Sequence, residues 1–253
     1  MKNGTLVTSP KPFGGDNRDH LSDTPLTENA IMFRRSITTM SLLVLASAPL
    51  AAQAKPMHHD PDKKVVGGAL PAGWMGRTDE SGQKISDAKF VTMAPGYHVT
   101  SGPAAIYWSR KFKASGAFTA SATFRQTKNP THPEAYGLVF QGNKLDKPAL
   151  SYVYFLVRGD GKFLVNHRAG KDVHKIVEWT DNAAVHKADA AGVATNTLTV
   201  DATKPDSIRL LVNGTQVHAL GGHVGSANGI VGLRVNHNLD VHISDFAVTP
   251  NKK

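Results

Sequence analysis

From residue 73 onward the apolar residues come in short alternating runs separated by turn residues, and no long stretch repeats them at a helical 3.6-residue period. The runs predict strands over 89–93, 97–100, 104–109, 117–126, 136–141, 151–158, 162–168, 174–179, 196–201, 207–212, 216–220, 229–235 and 240–248. So many short strands without helices require an all-β sandwich or barrel. Two turns fix local pairing. Asp160-Gly161 separates YVYFLVR from KFLVNHR, and Asn213-Gly214 separates SIRLLV from TQVHAL. Both dipeptides supply the positive φ of a tight hairpin, so each predicts an antiparallel pair. Period-two alternation then assigns faces. Phe118, Ala120, Ala122 and Phe124 turn inward, as do Val153, Phe155 and Val157, while Tyr152, Tyr154 and Arg158 share the opposite, polar face.

The first part of the chain has a different grammar. Arg34 and Arg35 precede an apolar run at 40–46, and Ala52-Gln53-Ala54 forms a small-residue cleavage site before Lys55, so 32–54 reads as a secretory signal peptide. Its apolar run is shorter than the roughly 20 residues a membrane span needs. Residues 1–31 are polar and lie upstream of a second methionine; they are expected to be a mis-assigned upstream start, with translation beginning at Met32, or else a disordered extension. The mature chain then comprises a flexible lead-in at 55–72 and one domain at 73–250. This predicts export to a periplasmic or extracellular location, with no membrane span after cleavage and a monomeric product.

The chain has no cysteine, which excludes disulfides, thiolate metal sites and a cysteine-linked lipid anchor. Removing residues 1–54 leaves 24 basic against 16 acidic residues, a charge of +8. A basic surface favours anionic partners, but the Lys and Arg residues are scattered, without the block that marks a nucleic-acid stripe. No nucleic-acid partner is expected.

The succession EAYGLVFQG, YVYFLVRGDGKFLVNHRAG, VEWTDNAAV, NTLTV, SIRLLVNGTQV and GIVGLRVNHNLDVHISDFAV resembles the concanavalin A-like, LamG-like jelly rolls. Among them it is most similar to the domain linked to 3-keto-disaccharide hydrolases, also labelled family 16 glycoside hydrolase-like. The resemblance spans about Gly73 to Pro250. It implies two curved antiparallel sheets, often with carbohydrate handled on the concave face. It implies no particular activity, since this fold carries enzymes, lectins and adhesion modules.

The chemistry of a family 16 glycosidase needs two carboxylates about 5 Å apart, usually from an E-x-D-x-x-E strand. That strand is missing, and the three glutamates after residue 54, Glu80, Glu134 and Glu178, are isolated from one another. Elimination from a 3-keto-glycoside asks less of paired carboxylates but wants a base and cationic stabilisation of oxygen. His98, His167, His237, His242, Glu134, Arg125, Arg158 and Arg234 are of suitable types. No catalytic residue is assigned on sequence.

Eleven of the 12 histidines follow residue 54, but neither H-E-x-x-H nor H-x-H occurs, so no metal site and no cofactor is assigned. His58-His59-Asp60 belongs to the lead-in. Calcium would need loop oxygens, for which Asn238 and Asp240 are the first pair to inspect. Arg158-Gly159-Asp160 and the sequon Asn213-Gly214-Thr215 are both explained by hairpin turns.

What remains is an aromatic and planar-polar set. Sugar recognition uses aromatic faces for C–H stacking, with fixed polar groups around them. Tyr107 or Trp108, Arg125, Gln141, Tyr152, Tyr154, Arg158, His167 and Arg234 are the candidate ligand-binding residues, while Trp74, Trp108 and Trp179 are expected mainly in packing roles. The expected function is saccharide or polysaccharide binding on the concave sheet face. The alternatives are 3-keto-glycoside hydrolysis and an envelope structural role without a small-ligand site.

Overall fold

The computed structural model describes residues 60–204, 206–221 and 227–251. The expected extension (1–31), the expected signal peptide (32–54) and His58-His59 lie outside the described residues. None of the helices among the described residues is long and apolar enough to cross a membrane.

Fourteen strands are described. They are β1 (Met75–Thr78), β2 (Ala88–Thr92), β3 (Tyr97–Ser101), β4 (Ala105–Ala114), β5 (Phe118–Gln126), β6 (Ala135–Asn143) and β7 (Ser151–Arg158). The series continues with β8 (Lys162–Ala169), β9 (Asp172–Asp181), β10 (Ala194–Lys204), β11 (Ser207–Val212), β12 (Thr215–Gly221), β13 (Gly229–Val235) and β14 (Asp240–Pro250). A single 3-10 turn, Ile85–Asp87, precedes β2. Every strand expected from alternation is present. The one missed, β1, has the sequence MGRT, which is too short and too polar to show a period.

The strands form two antiparallel seven-stranded sheets, ordered β1-β4-β13-β6-β7-β8-β9 and β12-β11-β10-β5-β14-β3-β2. Both expected hairpins form. Arg158 pairs with Lys162 across Gly159-Asp160-Gly161, and Val212 pairs with Thr215 across Asn213-Gly214, whose φ values are 50° and 82°. The two positive angles make the second a two-residue hairpin turn whose twist matches its strands.

The main core lies between the sheets. Phe118, Ala120, Ala122 and Phe124 of β5 face Val153, Phe155 and Val157 of β7, as alternation predicts. Phe124 stacks on Tyr136 at 5.5 Å between ring centroids. Trp74 closes one part of this core against Phe90 at 5.1 Å and Tyr97 at 4.9 Å, which makes it a packing residue. Each fully buried ring or leucine contributes roughly 1.5–3 kcal/mol.

The first sheet departs from simple alternation. Its outer face carries a second apolar cluster that includes Ile106, Trp108, Val139, Tyr152, Tyr154 and Leu156. Six consecutive residues of β7, Tyr152 to Val157, are therefore buried on both sides. The face expected to be polar is largely enclosed.

Residues 60–72, the described part of the expected lead-in, are tied to the sandwich. The Lys63 amide donates to Asn238 Oδ1 at 2.7 Å, and Asn238 Nδ2 donates to the Pro61 carbonyl at 3.1 Å. The Gly67 amide donates to the Ser86 carbonyl at 2.9 Å. Backbone polar groups of Pro61, Lys63 and Gly67 thus find partners on the domain, which a solvated tail does not need.

Candidate functional site

Two features of the first sheet set up its outer face. One is a paired defect beside β13. Between Gly232 and Ile230, β6 advances from Val139 to Gly142 and β4 from Trp108 to Lys113, so both neighbours of β13 bulge at the same level. The extra residue on β6 is Gln141, with φ at 56°. Bulges bend a strand and re-aim side chains, and they recur beside binding sites. Here they open a cleft of about 660 Å³. Trp108, Arg110, Gln141, Asn143, Ser151 and His167 are among the residues lining it. His167 Nε2 lies 2.9 Å from Ser151 Oγ, and burial together with neighbouring His174 pushes the His167 imidazole below its usual pKa.

The second feature is a buried charge network. Arg234 of β13 donates from Nη1 to Asp79 Oδ1 at 2.8 Å and to the Tyr152 hydroxyl at 3.4 Å. Its guanidinium lies 4.9 Å from the Tyr154 ring centroid, and Asn166 Nδ2 donates to the Tyr154 hydroxyl at 3.0 Å. Arg168 of β8 reaches the same carboxylate at 3.1 Å. Asp79 directly follows β1, five strands from β8 in the sheet order. Five spacings of a flat sheet cover about 24 Å. The contact requires that the sheet curl toward its outer face, that the segment after β1 fold over that face, or both.

Burial pushes the Asp79 carboxyl up, but Arg234 and Arg168 outweigh it and hold the group below the ordinary aspartate value. Burial likewise opposes the charge on Arg234, and Asp79 more than restores it.

The candidate residues thus fall into separate groups. Gln141 and His167 meet in the cleft. Tyr152, Tyr154 and Arg234 meet in the charge network, where both rings are buried, at 1% and 7% exposure. They brace the sheet rather than offering open platforms. Arg158 stands at the end of β7, held by Asp160 at 2.7 Å and stacked 4.3 Å over Trp179.

Two placements are corrected. Tyr107 points into the core beside Phe90, fully buried with its hydroxyl unpartnered, and Trp108 takes the outer face instead. The run AIYW has no polar member to show its parity. Arg125 lies on β5 in the second sheet, exposed and in register with His242, away from the other candidates. Alternation tells which side of a strand a residue takes but not which sheet the strand joins.

Sequence reasoning missed Asp79, and it missed Arg110 and Asn143 on the cleft. Asp79 sits in a turn-like TDESG segment with no signal of its own; a positive-φ bulge at Gln141 likewise leaves no local mark. It did not place a third pairing either: Glu134 Oε1 lies 2.6 Å from His237 Nε2, with Asp62 3.4 Å from Nδ1 of the same ring. Burial raises the Glu134 carboxyl despite His237, Asn236 and Arg158 nearby.

Asn238 and Asp240 do not converge on a cation. Asn238 holds the 60–67 segment, and Asp240 accepts from Thr100 Oγ1 at 3.1 Å and pairs with His98 at 3.1 Å. Among the described residues, no group of three or more His, Asp and Glu side chains is arranged to hold a metal ion. The Asn213 amide donates to the Ala184 carbonyl and accepts from the Thr197 amide, each at 2.8 Å, which is a structural use of the sequon.

Comparison with solved structures bears on the fold. The carbohydrate binding module CBM66 from Bacillus subtilis superposes with a TM-score of 0.51 at 14% identity, over 75% of this chain and 99% of that one. A Bacillus licheniformis beta-glucanase gives 0.50 at 12% identity, over 76% and 99%. The fold is a concanavalin A-like jelly roll. Identities this low establish the architecture alone. No protein-family model matches the chain, and no curated protein matches it.

Proposed function

We propose that the protein binds a glycan in the cleft on the outer face of its first sheet. The observation that carries this reading is the paired bulge around β13, which spends regular pairing to open a cleft of about 660 Å³ beside Trp108. The cleft has the make-up of a sugar site: an apolar wall of Met75, Trp108 and Ile230 with amide, imidazole and guanidinium groups around it. Both solved structures compared above are carbohydrate-active by their names, which agrees with the reading. In this reading the protein is exported, acts outside the cytoplasm as a monomer and needs no cofactor.

The test is retention of the purified protein on a panel of immobilised polysaccharides. The double variant Asn143→Ala, His167→Ala should lose at least about tenfold in affinity, the worth of one or two polar contacts, while its unfolding midpoint stays close to wild type. Failure of the wild-type protein to bind any polysaccharide overturns the proposal.

A second reading is favoured by one observation, the contact between Glu134 and His237. A carboxyl raised by burial and held against an imidazole suits proton abstraction beside a ketone, as the 3-keto-glycoside route requires. This reading predicts turnover of a 3-keto-glucoside that is lost in Glu134→Gln. Absence of turnover in the wild type removes it and leaves the binding proposal intact.

A further inference from the structure

The cleft has a charge as well as a shape. Its lining includes three cations, Arg110, Lys113 and Lys144, against a single carboxylate, Asp146. Asp146 answers Lys147, 3.4 Å away, and feels Arg110 of the rim as well, which leaves the lining with an excess of positive charge. The three basic residues are exposed, yet they are not scattered at random. Arg110 lies within the bulge that β4 makes opposite Val231 and Lys113 closes it, and Lys144 follows β6 with φ at 49°, just after the Gln141 bulge. The irregularities that open the cleft also bring cationic residues to its lining. Beneath them lie Trp108, Leu145 and Ile230, an apolar floor that keeps the local dielectric low and focuses a field of one sign into the opening.

Resting on the glycan reading above, we propose that this cleft is selective for acidic glycans, those whose sugar rings carry carboxylate or sulfate groups. A pyranose ring laid in the cleft rests on the apolar wall that the nearly buried Trp108 shares with the partly exposed Met75 and Ile230, and turns its anionic substituent to the rim. There Arg110 presents a planar fork that matches a carboxylate or sulfate in two parallel hydrogen bonds, while Lys113 and Lys144 act as point charges. A neutral sugar uses the floor but leaves the three cations merely hydrated. Discrimination comes from the rim, and the general affinity for sugar from the floor.

The experiment measures binding of the purified protein to polygalacturonate, to its fully methyl-esterified form, to a sulfated dextran, to unmodified dextran and to double-stranded DNA. The methyl ester keeps the sugar ring and removes only the charge. The expected result is a preference of roughly tenfold or more for polygalacturonate over its ester, shrinking as salt rises from about 0.1 to about 0.5 M because exposed charges are screened. The sulfated arm shows whether sulfate serves as well as carboxylate. The variant Arg110→Gln, Lys113→Gln, Lys144→Gln should bind acid and ester alike, with its unfolding midpoint unchanged. Equal wild-type affinity for acid and ester overturns the selectivity and leaves glycan binding standing. Binding of DNA as tight as that of polygalacturonate overturns it too, since the rim would then be a general polyanion surface. Failure to bind any of the polysaccharides removes the parent reading as well.

Discussion

Asp79 answers two guanidinium groups at once, one of them Arg234, whose permanent charge sits at 7% exposure under the first sheet's outer face. Removing one partner of a buried pair leaves the other charge uncompensated. Asp79→Asn should therefore destabilise the fold by about 3 kcal/mol, the low end for a buried pair because the Asp79 side chain keeps 21% exposure. The pH dependence has a definite sign. The folded carboxyl sits below its unfolded value, so its contribution is complete above the unfolded pKa and is lost as pH falls through the folded one. Urea unfolding between about pH 5 and about pH 2 should show wild type losing more stability than Asp79→Asn; parallel curves would refute the pairing. Gln141 is a different case, a residue whose backbone is held in the left-handed region. A non-glycine residue in the left-handed region is disfavoured by roughly 1–2 kcal/mol, part of which glycine gives back in backbone entropy. Gln141→Gly should leave stability unchanged or raise it by up to about 1 kcal/mol while weakening retention on polysaccharide. Loss of stability instead would show that the Gln141 side chain supports the fold.

Whole strands were more legible than single residues. Alternation placed β5 correctly because its outward positions are Thr and Ser. On β7 it placed the inward set correctly but gave the outward tyrosines to solvent, since an aromatic residue with a hydroxyl reads equally as surface or as enclosed packing. What alternation cannot carry is the assignment of strands to sheets, which put Arg125 on the far side of the sandwich, or the bulges, which depend on backbone angles. The turns were legible for a physical reason that Gly214 tests, with Gly137 inside β6 as the contrast. At Gly214 an added Cβ meets nothing within 4 Å, so only the φ of 82° opposes a side chain. Gly214→Ala should cost about 1 kcal/mol through backbone strain. At Gly137 the added Cβ would lie 2.1 Å from the Phe155 carbonyl oxygen on the neighbouring strand. Gly137→Ala must push β6 from β7 and should cost several times as much, or prevent folding. Comparable losses in the two variants would mean that β6 can shift freely.

At the scale of the whole molecule, the start of the domain is set by which backbone groups the sandwich needs. Residues 60–67 act as a strap. Pro61 and Lys63 satisfy both ends of the Asn238 amide, and Gly67 reaches the 3-10 turn. Asp62 lies 3.4 Å from His237 and accepts from Gln83 at 2.7 Å. The strap also runs close to the sandwich: a Cβ on Gly102 would lie 2.5 Å from the Lys63 carbonyl oxygen. The expected signal-peptide cut before Lys55 leaves this strap entire, so the processed chain would keep its own closure. Shortening the protein to begin at Asp60 should then be nearly neutral. Shortening it to begin at Gly68 removes three backbone-linked hydrogen bonds and leaves the Asn238 amide unpaired, at φ 59°. At about 1 kcal/mol for each bond, the second truncation should lose roughly 2–3 kcal/mol in urea unfolding while the first does not. The strap lies on the turn after β13, not on the Trp108 cleft, so glycan retention should survive in the shorter protein wherever it remains folded. A truncation at Gly68 with an unaltered midpoint would show that the strap rests on the domain without stabilising it.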